Sequence, residues 1–207
     1  MFPLPRLTET RRRDRHQNLL EAARVIFQAK GYAAASISEI AKTAQVSDGL
    51  IYRYFSDKRA MLAAVLEDFL EGLIAQAESA VDEAEGFRAK LEAIIRTNLQ
   101  VYAQDPEMCA LFIREQRDAS DYRGSPIHGL MRRYTELLSA VVRDGIAAGD
   151  VRPDLDVRLL RDFLFGGMEH LAWNALASGA GIAFENIAAQ LTEMLTSGIA
   201  YTAPEKR

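Results

Sequence analysis

The sequence has few of the features that stabilise secreted proteins or anchor membrane proteins. A single cysteine, Cys109, among 207 residues excludes an intramolecular disulfide and agrees with a reducing compartment. No apolar run approaches the roughly 20 residues that a membrane span requires. The opening stretch MFPLPRLTETRRRDRHQ also lacks the apolar core of a secretory signal. The expected location is therefore the cytoplasm, with no membrane contact.

Signatures of catalysis and of metal binding are missing as well. His16, His128 and His170 are far apart and match no metal-ligand spacing. The sequence contains no phosphate loop, nucleophile elbow or Rossmann glycine pattern. Cys109 could sense oxidation, but an isolated cysteine on an apolar helix is usually an unreactive core residue. The sequence therefore predicts a protein that is not an enzyme and that carries no metal or cofactor.

Charge is distributed unevenly along the chain. Residues 1–60 hold 11 Lys and Arg against 6 Asp and Glu, a net charge of +5. Residues 61–207 hold 14 against 23, a net charge of −9. A basic start on an acidic body indicates that only the first part meets a polyanion, although a solvated basic helix end is the alternative.

Helical spacing of apolar residues recurs along the whole chain, whereas the alternation typical of strands persists nowhere. Glycines and prolines separate the helical segments, and the connections between them are short. The expected fold is therefore all-α, with about nine helices packed in antiparallel fashion. The predicted helices span about residues 12–30, a short pair within 36–55, 57–82, a helix that follows Gly86, 106–118, 127–148, 155–177 and 183–200.

Residues 36–55 have the pattern of two short helices joined by a tight turn. Ser36 and Glu39 fit a capping box, in which the hydroxyl accepts from the Glu39 amide and the carboxylate reaches back to the Ser36 amide. Ser47 ends the three-residue turn and is expected to cap the second helix. This pattern predicts a helix-turn-helix, whose second helix can enter the major groove of DNA.

The apolar residues of this motif form its inward face and leave a polar face for a partner. Tyrosine hydroxyls and an arginine can reach phosphate oxygens, a lysine adds a point charge, and helix N-termini attract anions. The alternative is a simple helical corner whose tyrosines cover the core. The predicted DNA-contacting residues are Ser36, Ser47, Asp48, Gly49, Leu50, Tyr52, Arg53, Tyr54 and Lys58.

The motif resembles the DNA-binding domain of the TetR family of bacterial transcriptional regulators. Family members share an Ala-rich helix, a Val-Ser turn, and a Tyr-x-Tyr/His-Phe segment followed by Lys, which IAKTAQVSDGLIYRYFSDK matches. The preceding LLEAARVIFQAKGYAAASISEIA is similar to the family's first helix and the start of its second. The resemblance implies phosphate contacts from Tyr52, Tyr54 and Lys58, and base-edge contacts from the Ser47–Arg53 surface. The remaining helices match only in length and layout.

Two residues depart from the family pattern. Gln45 replaces the usual turn glycine, so the turn is expected to form without easy access to positive φ. Asp48 stands where a lysine is common. A carboxylate there suits the helix dipole and could accept from a cytosine amino group, but it would repel phosphate. The residues alone leave both roles of Asp48 open.

One recognition helix per chain implies a second copy, because specific operators are usually read by two helices set one or more DNA turns apart. The segment LLRDFLFGGMEHLAWNAL is apolar more than halfway round, and its two mid-helix glycines are costly unless a partner helix approaches closely. The resemblance implies a four-helix interface here; intramolecular packing alone is the alternative. The expected interface residues are Phe163, Gly166, Gly167, His170, Ile187, Leu191, Met194 and Leu195.

The intervening helices carry many large apolar residues, most of which must form core. The resemblance implies that a small-molecule effector binds among them, near polar side chains that include Arg117, His170 and Asn174. The segments DPEMCALFIREQRDAS and GDVRPDLDVRLLRDFLFGGMEHLAWNAL are similar to family members that sense fatty acyl-CoA. The expected effector-binding residues are Phe69, Leu73, Leu99, Tyr102, Met108, Phe112, Arg114, Tyr134, Leu138, Phe165, Glu169 and Trp173.

These observations predict a homodimeric, ligand-responsive regulator that binds double-stranded DNA. A helix-turn-helix domain is expected at 12–58, and a ligand-binding and dimerisation domain at 59–203. The regulator is expected to act as a repressor that leaves a palindromic operator when a small apolar or amphipathic effector binds. The alternative is a helical dimer whose head binds a protein partner, and the positive charge of residues 1–60 argues against it.

Overall fold

The computed structural model describes residues 9–116, 122–179, 181 and 183–199, and all the regular elements in these ranges are α-helices. The predicted all-α class is confirmed. Arg117 and the end of the domain predicted at 59–203 lie outside the described residues. The helices are α1 Glu9–Ala34, α2 Ile37–Thr43, α3 Asp48–Ile51, α4 Lys58–Glu83, α5 Gly86–Gln104, α6 Pro106–Gln116, α7 Pro126–Ala148, α8 Val157–Ser178 and α9 Phe184–Ile199.

One compact unit comprises the described residues up to Phe69 together with 111–116. The α1 helix buries one apolar stripe that includes Leu19 and Phe27, and it packs against α2, which packs against α3. Gly31 interrupts α1 with φ 73° and ψ 167°, so the regular helix stops where the sequence predicted. The Arg59 guanidinium donates to the Glu115 carbonyl oxygen at 3.0 Å, which links the start of α4 to the end of α6.

The second compact unit comprises Leu70–Ala110 together with the described residues from 122 onward. Within it α5 packs against α7, α8 and α9, and α7 packs against α8. Helix α7 ends at Gly149, which adopts the left-handed φ of 85° that favours glycine at this position. Gly145 is required for a different reason: a Cβ there would lie 2.7 Å from Phe87 Cδ2, too close for a methyl group.

The division into units does not coincide with the predicted domain boundary after residue 58. Helix α4 contributes residues to both units, since the first unit extends to Phe69. The boundary at 58 stays a prediction. Within the described residues, no helix is both long and apolar enough to cross a membrane.

Candidate DNA-binding site

The start of α2 is held by the predicted capping box, which the structure confirms. The Ser36 backbone N–H donates to Glu39 Oε2 at 3.2 Å, and the Glu39 N–H donates to Ser36 Oγ at 3.3 Å. The Lys30 ammonium pairs with the same carboxylate. The hydrogen bonds from Lys30 and from the Ser36 hydroxyl lower the pKa of the Glu39 carboxyl below its ordinary value. One carboxylate thus caps α2 and ties it to α1.

The turn between α2 and α3 uses the backbone conformation that the sequence did not predict. Gln45 adopts φ 56° and is the only non-glycine residue with positive φ among the described residues. The Val46 N–H donates to the Ala41 carbonyl at 2.9 Å, and the Gln45 N–H donates to the Lys42 carbonyl at 3.2 Å. These two bonds make a Schellman motif, which satisfies the last carbonyls of α2. The turn therefore forms at positive φ although Gln45 has no easy access to it, because the motif outweighs the steric cost of the side chain.

The start of α3 also differs from the prediction. Ser47 occupies the N-cap position, but its hydroxyl makes no capping bond. The one-turn helix is closed by the backbone instead, since the Leu50 N–H donates to the Ser47 carbonyl at 2.9 Å. The Asp48 carboxylate accepts a hydrogen bond from the Ser38 hydroxyl at 2.5 Å, which links α2 to α3. Asp48 therefore helps to set the position of α3 relative to α2.

The exposed surface of α3 and of the turn residues 52–54 that follow it, called the α3 face below, is polar and accessible. Ile51 and Phe55 are buried, as predicted, while the Tyr52 side chain is 56% exposed. Tyr52 and Arg53 make no side-chain hydrogen bond or ion pair with any described residue, so their polar groups remain available. The Tyr54 ring is half-buried with its centroid 6.1 Å from that of His16 on α1. Of the other predicted contact residues, four are exposed and two are half-buried. The exposed residues are Ser36, Ser47, Asp48 and Gly49, and the half-buried residues are Leu50 and Lys58.

The structure corrects the expectation that Lys58 is a flexible point charge. Its ammonium donates to the carbonyl oxygens of Tyr32 and Ala35, each at 2.8 Å, and of Ala33 at 3.3 Å. The same group lies 4.5 Å from the centroid of the Tyr32 ring. A lysine ammonium has three N–H donors, so these carbonyls can occupy all of them. The local contacts assign Lys58 to holding the end of α1.

The predicted effector-binding residues are divided between the two units. Phe69, Phe112 and Arg114 belong to the first unit, and the others belong to the second. The Tyr134 and Phe165 rings lie 5.3 Å apart, whereas Trp173 is 41% exposed. Two surface depressions of about 260 and 170 Å³ are lined by other residues, on α1 and α4 and around Gly145 respectively. The fully or largely buried members of the set are Leu73, Leu99, Met108, Tyr134 and Leu138.

Asn98 was missed by sequence reasoning, although a signal for it exists. It occupies the buried stripe of α5 that otherwise consists of Leu91, Ile94, Ile95 and Leu99. Its Nδ2 donates to the hydroxyl of Tyr134 at 3.2 Å, while its Oδ1 is buried without a hydrogen-bond partner among the described residues. Burial raises the pKa of the Tyr134 hydroxyl well above its ordinary value. A polar residue within an apolar stripe should have identified the position.

An apolar face of α8 and α9 remains uncovered by the rest of its unit. Phe163 is 71% exposed, Met194 is 70% exposed and Leu159 is 67% exposed. Among the described residues, a Cβ placed on Gly166 or Gly167 would meet no atom within 4 Å, so packing inside the chain does not require either glycine. Of the other predicted interface residues, His170 is exposed, while Ile187, Leu191 and Leu195 pack partly against the core of their own unit.

Cys109 is buried in α6, and its Sγ donates to the Val101 carbonyl at 3.7 Å. Burial, with a smaller contribution from nearby carboxylates, raises the pKa of its thiol to about 12. The thiolate that reacts with oxidants is therefore scarce at neutral pH. In the part of the chain that the structure describes, His, Cys, Asp and Glu side chains form no cluster that could hold a metal ion.

A capped α2, a tight turn and a short α3 with an exposed polar face define a helix-turn-helix DNA-binding protein. Comparison with known proteins makes this assignment more specific. Residues 19–65 match the family model of bacterial regulatory proteins of the tetR family, and residues 66–198 match the C-terminal region of the YsiA-like protein. The chain belongs to the TetR family. It is a ligand-responsive, DNA-binding transcriptional regulator and not an enzyme, and the protein-binding alternative loses its basis.

Several relatives match along nearly their whole length. The fatty acid metabolism regulator protein of Bacillus subtilis is 26% identical over 188 residues, which cover 91% of this chain and 97% of the relative. The repressor KstR2 of Rhodococcus jostii is 26% identical over 204 residues, covering 97% and 98% of the two chains. The structure of FadR from Bacillus subtilis in complex with stearoyl-CoA is similar with a TM-score of 0.80 and 26% identity, covering 89% of this chain and 99% of FadR.

Proposed function

We propose that this protein is a homodimeric repressor that binds a palindromic operator and leaves it when a long-chain acyl-CoA binds. The observation that carries the DNA-binding part is the exposed face of α3, where Tyr52 and Arg53 have no partner among the described residues. The capping box at Ser36 and the Schellman turn hold this face in place, so little conformational entropy is lost when DNA binds.

Contacts with phosphate and contacts with bases fall to different residues of this face. The Arg53 guanidinium and the hydroxyls of Tyr52 and Tyr54 bind phosphate oxygens and orient the protein on the duplex. The surface around Gly49 and Leu50 faces base edges, where leucine can contact a thymine methyl group. Ser36 and Ser47 lie beside the N-termini of α2 and α3, where the helix dipole attracts a phosphate.

The uncovered face of α8 and α9 is the dimer surface in this proposal. Leu159, Phe163, Gly166, Gly167 and His170 recur at helical spacing along one side of α8. A twofold axis through this surface brings α8 and α9 of each copy together as four helices. The exposed phenylalanine and methionine then become buried, and the glycines allow close approach of the partner helix.

The acyl-CoA class is supported by the match to the fatty acid metabolism regulator of Bacillus subtilis, which covers almost the whole chain. The similar structure of FadR from the same organism was solved in complex with stearoyl-CoA. The second unit of this chain offers a core rich in large apolar side chains, including Leu99, Leu138 and Phe165. An effector releases DNA only if it prefers one conformation of the dimer, and about 1–3 kcal/mol of coupling is typical.

The test uses an operator selected from random duplexes and measures its binding by fluorescence anisotropy. Adding stearoyl-CoA is expected to weaken operator binding about 10-fold or more. Free CoA and free stearate, the two halves of stearoyl-CoA, are the matched controls. Operator binding that is unaffected by acyl-CoA of any chain length would refute the effector class and leave the DNA-binding assignment standing.

A further inference from the structure

Three polar side chains are buried in the described part of the chain: Asn98, Ser139 and Thr192. Ser139 donates to the Thr135 carbonyl at 3.4 Å, and Thr192 donates to the Ala188 carbonyl at 2.8 Å. Serine and threonine hydroxyls commonly make such hydrogen bonds to carbonyl oxygens of their own helix. Asn98 differs, because its partner Tyr134 lies on another helix and its Oδ1 has no partner among the described residues.

The unpaired atom does not depend on how the amide is oriented. If the amide nitrogen and oxygen are exchanged, the oxygen accepts from the Tyr134 hydroxyl and the nitrogen is left without an acceptor instead. In the orientation described, the Tyr134 hydroxyl accepts from Asn98, and its own proton has no acceptor among the described residues. A buried polar atom without a partner is destabilising, and native proteins retain few of them unless a ligand or a water completes the bond.

The surroundings of the Asn98–Tyr134 pair are apolar. The centroids of the Tyr134 and Phe165 rings lie 5.3 Å apart. Leu99 follows Asn98 in the sequence, Leu138 lies one helical turn after Tyr134, and both leucines are fully buried. Ligand sites in proteins combine such a lining with a few polar groups that fix the orientation of the ligand. The pair therefore has the chemistry of a polar anchor within an apolar site.

We propose that Asn98 and Tyr134 anchor the effector, and that the effector carries a hydroxyl group within its apolar part. One hydroxyl can donate to Asn98 Oδ1 while it accepts from the Tyr134 hydroxyl, and it can serve the exchanged amide orientation equally well. This inference rests on the proposed function, since it specifies the effector of the same regulator.

The test compares stearoyl-CoA with a series of hydroxystearoyl-CoA molecules that differ only in the position of the hydroxyl. Wild-type protein is expected to bind one member of the series at least ~10-fold more tightly than stearoyl-CoA. The Asn98→Leu variant loses this preference. The Ser139→Ala variant keeps it, because Ser139 is equally buried but bonds to its own helix. Tyr134→Phe removes only the hydroxyl and is expected to reduce the preference as well.

Melting temperature and operator affinity of each variant show first that it is folded. A wild-type protein with no preference for any hydroxylated probe overturns the inference. A preference that persists in Asn98→Leu and Tyr134→Phe also overturns it, because the hydroxyl is then bound elsewhere. If no acyl-CoA binds at all, both the inference and the acyl-CoA class fail. If stearoyl-CoA releases the operator but the hydroxyl has no effect, only the inference fails.

Discussion

The two compact units expose different kinds of unpaired side chain. In the turn that follows α3 of the first unit, the exposed groups are the guanidinium of Arg53 and the hydroxyl of Tyr52, which require a polar or anionic partner. On α8 and α9 of the second unit, they are the apolar side chains of Phe163 and Met194, which are 71% and 70% exposed and require an apolar partner. In the proposed function these two surfaces serve two partners: a polyanion and a second copy of the chain.

The arginines sharpen this difference. In the second unit, Arg133 pairs with Glu78 at 2.7 Å and Arg88 pairs with Glu193 at 2.9 Å. Exposed ion pairs contribute little to stability, so the pairing matters mainly for the electrostatic potential. Paired arginines present almost no net charge to a polyanion, whereas Arg53 presents its full charge. An arginine that is paired with an acid is therefore a weaker candidate for DNA contact than the unpaired Arg53.

The largest expected effect comes from placing charge on the apolar surface of the second unit. Phe163→Asp combined with Met194→Asp should convert the dimer to a monomer and weaken operator binding at least ~100-fold, because the two recognition helices are no longer linked. The fold should survive, since both side chains are exposed. Sedimentation equilibrium and anisotropy measure the two effects. Ala189→Asp, exposed on the opposite side of α9, is the control, and a double variant that stays dimeric would contradict the assigned surface.

Lys58→Met tests whether the lysine next to the recognition helix belongs to the fold or to the DNA surface. The substitution keeps the aliphatic stem and removes three hydrogen bonds to carbonyls, so the free energy of unfolding should fall by about 2 kcal/mol. Urea denaturation measures it, and Lys42→Met, which removes an exposed lysine from α2, should change stability by less than about 0.5 kcal/mol. Undiminished stability with weakened DNA binding would return Lys58 to the phosphate-contacting set.

Arg53→Ala and Arg133→Ala compare an unpaired arginine with a paired one. Arg53→Ala should weaken binding to all duplexes by about 10-fold and reduce the slope of log affinity against log salt by about one per recognition helix. Arg133→Ala should leave both quantities unchanged. Salt titrations of a random duplex measure them, and equal losses in the two variants would show that pairing with an acid is not the deciding property.

The smallest effect is expected at the turn of the helix-turn-helix. Gln45→Gly relieves the left-handed backbone strain but makes the unfolded chain more flexible, so it should raise stability by less than about 1 kcal/mol. Gln45→Ala keeps a Cβ and should leave stability nearly unchanged. Thermal unfolding measures both variants, and a glycine variant less stable than the alanine variant would show that positive φ costs little here.

Local sequence patterns predicted most of the fold. The capping box of Ser36 and Glu39, the stop at Gly31 and the left-handed end of α7 at Gly149 involve residues within one helical turn of each other. Their sequence signals are correspondingly complete. The helical period likewise places the apolar residues of a helix on one side, and in α1 and α5 that side is buried.

Two departures from prediction are local, at Gln45 and Ser47, and the others concern partners that are distant in the chain. Lys58 bonds to carbonyls more than 20 residues earlier, and Asp48 accepts from Ser38 across the turn. Tyr134 meets Asn98 from another helix. No local pattern encodes these contacts, because they depend on how helices are packed together. The DNA-binding set stays a prediction made from residue type, and the contacts of Lys58 could not be predicted from the local sequence.

In the proposed dimer, two copies of the α3 face read one operator. Selection of bound sequences from a random duplex pool tests it directly. We expect enrichment of an inverted repeat whose half-site centres lie one helical turn, about 34–36 Å, or a multiple of that apart. A pool without any enriched sequence, or enriched sites that lack twofold symmetry, would contradict it.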